Sequence, residues 1–243
     1  MKIGAIIQAR MSSTRLPGKV LKKLPFYSKI TVLEQVINRL NRGKEVDTIV
    51  VATTDKKSDD AIEAITRKRK VVCFRGDSED VLSRYYYAAK DNNFDVIVRI
   101  TSDCPCIDPG IIDLIIKEHL RLKADYTSNT LKRSYPHGLD AEVFSFDVLA
   151  FTHKNAQLKF DREHVTPFIT KNCGLFRIKQ VVSPKKLFAP DIRITLDTEE
   201  DYTLLCSVFD QLYFKNKYFD AYDIVGLFNK KPWLKFINKR IVQ

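Results

Sequence analysis

Residues 6–19 read IIQARMSSTRLPGK. An Ile- and Ala-rich run ends there in a polar, Ser-rich, Pro-Gly segment, the pattern of a buried strand that opens into a loop at the edge of a sheet. The loop holds Arg10, Arg15 and Lys19 and no acid. Three cations beside one strand end repel one another until an anion joins them. With hydroxyls and backbone amides alongside, the segment is built to receive a polyphosphate.

Outward from this loop, strand patterns recur near residues 2–8, 46–53, 70–75 and 94–100, each followed by a helical one. Thr31 and Glu34 predict a capping box at the head of TVLEQVINRLNRG (31–43), with Gly43 as its stop. SDDAIEAITRK (58–68) and SEDVLSRYYYAAKDN (78–92) begin with acids and continue at helical spacing. DPGIIDLIIKEHLRL (108–122) offers Asp108 as N-cap and Pro109 at the first helical position. Alternation every 22–25 residues or so implies a parallel sheet with right-handed crossovers, an α/β, Rossmann-like layout. The eight glycines form neither G-x-G-x-x-G nor G-x-x-x-x-G-K-[ST], which argues against a dinucleotide site or a P-loop.

Regularity breaks after about residue 125. The stretch from about 126 to 172 mixes turns, one strand pattern and two short helices, and reads as an insertion into a single domain spanning 1–243. DIRITLDTEEDYTLLCSVFDQL (191–212) then restores the rhythm, with a strand over IRITL and a helix from Thr198. The chain carries 41 basic and 30 acidic residues, a balance of +11 that favours anionic partners. The last twenty residues carry five cations and no acid, the composition of a solvated basic helix or a docking surface. The five cysteines, 73, 104, 106, 173 and 206, read as reduced thiols, and the lone Cys104-x-Cys106 reads as core packing and is a poor zinc site. No segment has the length of a membrane span or the layout of a signal peptide, so a cytoplasmic protein without a membrane partner is expected.

Ligands of open α/β sheets bind beyond the carboxyl ends of the strands. Three such ends carry charge: residues 10–19, Asp103 after VIVRITS, and Asp197 after IRITL. Cations for phosphates would then face two carboxylates for Mg²⁺, an ion that takes its remaining ligands from water and phosphate. Nucleotidyl transfer needs little more than positioning and charge stabilisation, and the four histidines suggest no triad. Each aspartate has a plainer role open to it. Asp197 stands where it can cap the helix that follows, and Asp103 where it can form an Asx turn.

Together these residues resemble a known family. IIQARMSSTRLPGKVL (6–21) is similar to the N-terminal signature of the cytidylyltransferases that activate acidic sugars, the 3-deoxy-manno-octulosonate and acylneuraminate enzymes. FRGDSEDVLSRYYYAA (74–89), VRITSDCPCIDP (98–109), YPHGLDAEVFSFDVL (135–149), DREHVTPFI (161–169) and RITLDTEEDY (193–202) resemble one branch of it, the spore coat polysaccharide biosynthesis proteins. The resemblance implies a nucleotide-diphospho-sugar transferase type of sheet, CTP and a sugar as substrates, Mg²⁺ as cofactor, and a homodimer. It implies Arg10, Lys19 and Asp103 as catalytic groups, and Asp103 and Asp197 on the metal. Gln8, Ala9, Arg10, Ser12, Ser13, Arg15 and Lys19 would line the nucleotide, with Asp80 and Arg84 near its base. Asp140, Glu142, Arg162, Glu163 and His164 would touch the sugar. The same five residues read equally well as an alternating strand and a charged helix start. One departure stands out: where the octulosonate enzymes follow the first metal aspartate with Glu-Pro, this chain has Cys104-Pro105.

Two other functions compete. A glycosyltransferase of similar layout would present Asp-x-Asp, and the chain has no such tripeptide. A nucleic-acid-binding protein would explain the basic balance, but leaves Asp103 and Asp197 without a role. The expected partners are therefore CTP and a sugar, with no nucleic acid.

Overall fold

The computed structural model describes residues 1–239, so Arg240 of the basic tail lies outside the described residues. The first half alternates as β1 (Ile3–Gln8), α1 (Val32–Leu40), β2 (Thr48–Thr54), α2 (Asp60–Arg69), β3 (Val72–Gly76), α3 (Val81–Asp91), β4 (Val96–Thr101) and α4 (Pro109–Leu122). The second half adds β5 (Tyr126–Ser128), β6 (Glu142–Ser145), α5 (Phe146–Asn155), α6 (Lys159–His164), α7 (Pro167–Lys171), β7 (Ile178–Gln180), α8 (Glu199–Leu212) and α9 (Ala221–Lys230).

One sheet runs in the order β3-β2-β1-β4-β6-β5-β7. The four strands of the first half are parallel, as their crossover helices require. β6 enters antiparallel to both β4 and β5, and β7 lies parallel to β5. Residues 126–172 thus contribute two strands to the common sheet, while α5 and α6 pack on α3. Strand side chains alternate between two cores. Ala5, Ile7, Val96, Val98 and Ile100 pack into the layer with α1, α4, α8 and α9, whereas Ile6 and Ile97 meet Leu82, Tyr85 and Ala89 of α3 on the other face. Gly4 lets the chain pass under Phe94, since a Cβ there would lie 2.0 Å from the Phe94 ring.

The N-terminal capping signals act as read, whereas α1 ends at Leu40 with Asn41 as its C-cap, two residues before the Gly43 expected to stop it. Thr31 and Glu34 form the box at α1, and Asp108 accepts from the amides of Gly110 (2.8 Å) and Ile111 (3.3 Å) with Pro109 at the first position of α4. The second Asp108 oxygen accepts from Ala221 N at 2.8 Å, which ties α9 to the head of α4. Arg39 of α1 is fully buried and donates to Phe219 O at 2.8 Å, its guanidinium 4.2 Å from the Phe219 ring. The basic C-terminal stretch therefore has a working apolar face: Ile224, Val225, Phe228 and Leu234 are core residues, while Trp233 and Phe236 stay exposed. Cys104 and Cys106 are buried and all five thiols are free. Among the described residues no helix is long and apolar enough to cross a membrane.

Residues 192–196 correct the sequence reading. They are extended, but they form a single bridge, Arg193 to His137, and no strand of the sheet. Their backbone groups are taken by loops: Ile194 N donates to His137 O and Leu196 N to Asp103 O, both at 2.8 Å. Gly138 makes this approach possible, with φ +111° and with Ile194 backbone atoms 2.8 Å from where a Cβ would stand.

Candidate active site

Lys19 follows Gly18, whose φ of +69° turns the chain at the end of the 10–19 loop. Its ammonium donates to Asp103 Oδ2 (2.8 Å), Asp197 Oδ1 (2.9 Å) and Leu196 O (2.8 Å). The pairing of Leu196 N with Asp103 O is what sets the two aspartates side by side. Arg193 Nη2 lies 2.7 Å from Asp197 Oδ2, and Arg15 Nη2 lies 3.2 Å from Oδ1. Burial alone would lower the Lys19 pKa, but the two carboxylates outweigh it and hold the group above the ordinary lysine value. Burial likewise pushes Asp197 up, and Lys19, Arg193 and Arg15 bring it below the ordinary carboxylate value. Neither aspartate takes the plainer role: α8 is capped by Thr198 and Asp201, and the Asp103 carboxylate turns to Lys19.

The loop is held from below by a residue that sequence reading missed. Asp59, fully buried, accepts from Met11 N (2.9 Å), Thr53 Oγ1 (2.9 Å), Thr54 N (3.2 Å) and Thr54 Oγ1 (2.6 Å). Burial would raise its pKa, and these donors hold it below the ordinary value. In the sequence, Ser58-Asp59-Asp60 looks like any acidic helix start, and nothing in it signals a partner 48 residues away.

Two cavities adjoin at the aspartates. One, of about 270 Å³, is lined by Gln8, Ala9, Arg10, Ser13, Arg15 and Lys19, with Thr14, Val81, Arg84, Ser102, Glu163 and His164. The other, of about 300 Å³, is lined by Arg99, Cys104, Thr130, Arg133, His137, Asp140, Glu142 and Thr195. Thr101, Asp103 and Asp197 belong to both. Gln8 Oε1 and Arg84 Nε on the first side, and Arg99 Nε on the second, are buried polar atoms with no hydrogen-bond partner among the described residues.

Three residues expected at the ligand stand outside both cavities. Ser12 is exposed. Asp80 caps α3 through Ser83 N (2.9 Å) and binds Arg162 (Nε 2.7 Å). Arg162 also donates to the carbonyls of Ala156 (2.8 Å) and His153 (3.2 Å), so the pair clasps α6 to the head of α3. The five residues expected at the sugar do not form one cluster. Glu163 and His164 face the phosphate loop, where Glu163 lies 3.7 Å from Arg10, while Asp140 and Glu142 face the second cavity. Glu142 sits across from Arg99 in the β4–β6 register, and its oxygens are occupied by Arg99, Tyr126 and Thr166.

The second cavity is polar and internally balanced. Arg133 holds Asp140 through two bonds (2.9 and 3.3 Å), and His137 Nδ1 lies 3.1 Å from Arg193 Nη1. Burial lowers the His137 pKa, only partly opposed by Asp140, which leaves a neutral imidazole near pH 7. Burial, with Asp103 and Asp140 nearby, pushes the Cys104 thiol well up, so it stays protonated and is no nucleophile. The residues between the cavities fit a divalent ion. Two carboxylate oxygens already converge within 2.9 Å of one cationic centre, the Lys19 ammonium. Among the described residues no set of three or more His, Cys, Asp or Glu could hold a metal, so an ion here would take most of its ligands from water and phosphate.

The chain that carries this arrangement is similar to known proteins. The family model for cytidylyltransferases matches residues 4–220. This chain belongs to the cytidylyltransferase family. A spore coat polysaccharide biosynthesis protein of Bacillus subtilis is 34% identical over 93% of this chain and 94% of its own. A 3-deoxy-manno-octulosonate cytidylyltransferase of Solibacter usitatus is 31% identical over 72% of this chain and 70% of its own. The solved structure of a cytidylyltransferase from Leptospira borgpetersenii aligns with a TM-score of 0.91 at 35% identity, over 100% of this chain and 99% of that one. The cytidylyltransferase is thus a nucleotidyltransferase on a nucleotide-sugar transferase fold, which sets aside the glycosyltransferase alternative.

Proposed function

We propose that this cytidylyltransferase transfers CMP from CTP to a hydroxyl of an acidic sugar, releasing pyrophosphate, with Mg²⁺ at Asp103 and Asp197. The observation that supports the reading is the sharing of those two carboxylates by both cavities, an arrangement in which a nucleotide on one side would meet an acceptor on the other. In the reaction the acceptor oxygen bonds to the α-phosphorus as the bond from phosphorus to the bridging oxygen breaks. The hydroxyl proton passes to solvent, and the electron pair leaves with pyrophosphate. Arg10, Ser13, Arg15 and Lys19 bind the triphosphate, and Lys19 exchanges its carboxylate partners for phosphate oxygens. Asp103 and Asp197 would hold a divalent ion, which when bound would supply charge neutralisation at the α-phosphate. Asp140, held by Arg133, and Thr195 offer polar contacts to the sugar, and the unpartnered Arg99 Nε is a donor that a sugar carboxylate would satisfy. The named activity of the octulosonate relative supports the acidic acceptor. The activity belongs in the cytoplasm, where CTP is made. Incubation with CTP, Mg²⁺ and a panel of sugars, followed for pyrophosphate, is the test: release is expected with an acidic sugar and not without one. Release only with neutral sugars would remove the acidic acceptor.

The reading extends to the oligomer. Residues 1–243 act as one nucleotidyltransferase domain, and its inserted segment at about 126–172 is the proposed homodimer contact. The insertion exposes Leu131, Phe151, Leu158 and Phe160 by 44–63%, apolar area that a second chain would cover. Light scattering is expected to give twice the mass of one 28.1 kDa chain at micromolar concentration. A mass of one chain would refute the contact.

A further inference from the structure

We propose that Gln8 and Arg84 together read the base edge of the bound nucleotide and select cytosine over uracil. The inference rests on CTP as the substrate of the first cavity. It replaces Asp80, whose carboxylate is spent on Arg162, as the source of base choice.

Both side chains line the nucleotide cavity. Gln8 ends β1 between two parallel neighbours, paired with Ala52 on one side and Thr101 on the other, and its carbonyl accepts from Ser102 N at 3.2 Å. The root of the side chain is therefore fixed. Arg84 lies in the first turn of α3 and is 2% exposed. Its Nη1 is tied to Asp77 O at 2.6 Å, so the guanidinium cannot swing away. Each presents a buried polar atom without a partner among the described residues, an acceptor at Gln8 Oε1 and a donor at Arg84 Nε. Native proteins leave few such atoms, and two lining one cavity point to a ligand that completes them. Val81, one turn before Arg84 and 4% exposed, supplies an apolar wall. Lys19 and Arg15 gather at Asp197, which assigns the phosphates to that end of the cavity and the base to this one.

The chemistry of the two groups decides between pyrimidines. Cytosine offers an exocyclic amine as donor beside ring N3 and O2 as acceptors, whereas uracil offers O4 as acceptor beside an N3–H donor. A carboxamide alone discriminates poorly, because turning it over exchanges its acceptor for a donor. A guanidinium has no acceptor to offer. With Arg84 against the ring nitrogen, the edge opposite it must accept, and Gln8 is left to receive the amine. Uracil then faces a donor with a donor, whichever way Gln8 turns.

The test is direct binding of CTP, UTP and inorganic tripolyphosphate by calorimetry to the wild type and to Gln8→Leu, Gln8→Glu and Arg84→Lys, with thermal unfolding recorded for each. Wild type is expected to prefer CTP over UTP by about tenfold or more. Gln8→Leu loses about tenfold of that ratio through weaker CTP binding, with tripolyphosphate unaffected. Gln8→Glu, which keeps an acceptor and has no donor, retains the preference. Arg84→Lys reduces the ratio while tripolyphosphate still binds. Equal weakening of all three ligands in both Gln8→Leu and Arg84→Lys would assign these residues to the phosphates or to folding and overturn the proposal. A CTP/UTP ratio unchanged within twofold in Gln8→Leu would overturn it even if Arg84→Lys fails to fold. A wild type that binds tripolyphosphate but shows no preference for CTP would instead remove the substrate reading beneath it.

Discussion

Asp103→Asn and Asp197→Asn each reduce kcat by roughly 10²–10³-fold or more while the protein still unfolds in one cooperative transition. Each change removes one of the two anionic ligands proposed for the divalent ion and leaves the backbone pairing of Leu196 with Asp103 in place. Lys19 keeps one carboxylate partner in either variant, so no cation is stranded in the partly buried site. The double variant should lose little more than either single one, because one ion serves both groups and its loss is counted once. Initial rates of pyrophosphate release across Mg²⁺ concentrations check this. Near-normal turnover in Asp103→Asn at saturating Mg²⁺ would end the metal assignment.

Gly138→Ala should be among the most destabilising single substitutions in the chain. An added Cβ meets Ile194 C and O at 2.8 Å and Thr195 N at 3.0 Å, all backbone atoms with nowhere to turn, and the φ of +111° is one that alanine rarely adopts. Overpacking and backbone strain together cost about 2–6 kcal/mol. For a chain of this size that lowers Tm by on the order of 10 °C. The same push separates the loop bearing His137 and Asp140 from the segment bearing Asp197, so kcat falls in the protein that remains folded. Gly174→Ala is the control. Nothing lies within 4 Å of its added Cβ, and its Tm should match wild type within about 2 °C. Equal melting temperatures for the two variants would mean that the close approach at Gly138 carries no weight.

The parallel half of the molecule was legible because its signals are local. Period-two apolar runs, the Thr31–Glu34 box and the Asp108-Pro109 start each need only a few neighbouring residues, and all appear where they were read. IRITL misled for the same reason: its alternation is real, and Ile192, Ile194 and Leu196 are buried, but its hydrogen bonds go to His137 and Asp103 rather than to a strand. Sequence patterns report burial periodicity and are silent on which backbone receives the bonds. At the site, the cationic loop and Asp103 could be picked out by charge at strand ends, and Asp197 by charge after a segment whose alternation resembles a strand. Asp80 and Arg162 could not be told from ligand contacts, since an ion pair between residues 82 positions apart leaves no local trace. Asp59 escaped for the complementary reason, being an acid whose importance lies in amides and hydroxyls below the loop.

The Lys19 ammonium lies between Asp103 and Asp197 and balances the charge of both carboxylates. Two bare carboxylates at a strand edge would attract whatever divalent ion is at hand, and transition metals generally outcompete Mg²⁺ for such ligands. A divalent ion at the proposed site would compete with this tethered cation, and phosphate oxygens would offer the lysine another partner. On the proposed reading, metal binding and nucleotide binding would therefore be linked through one lysine.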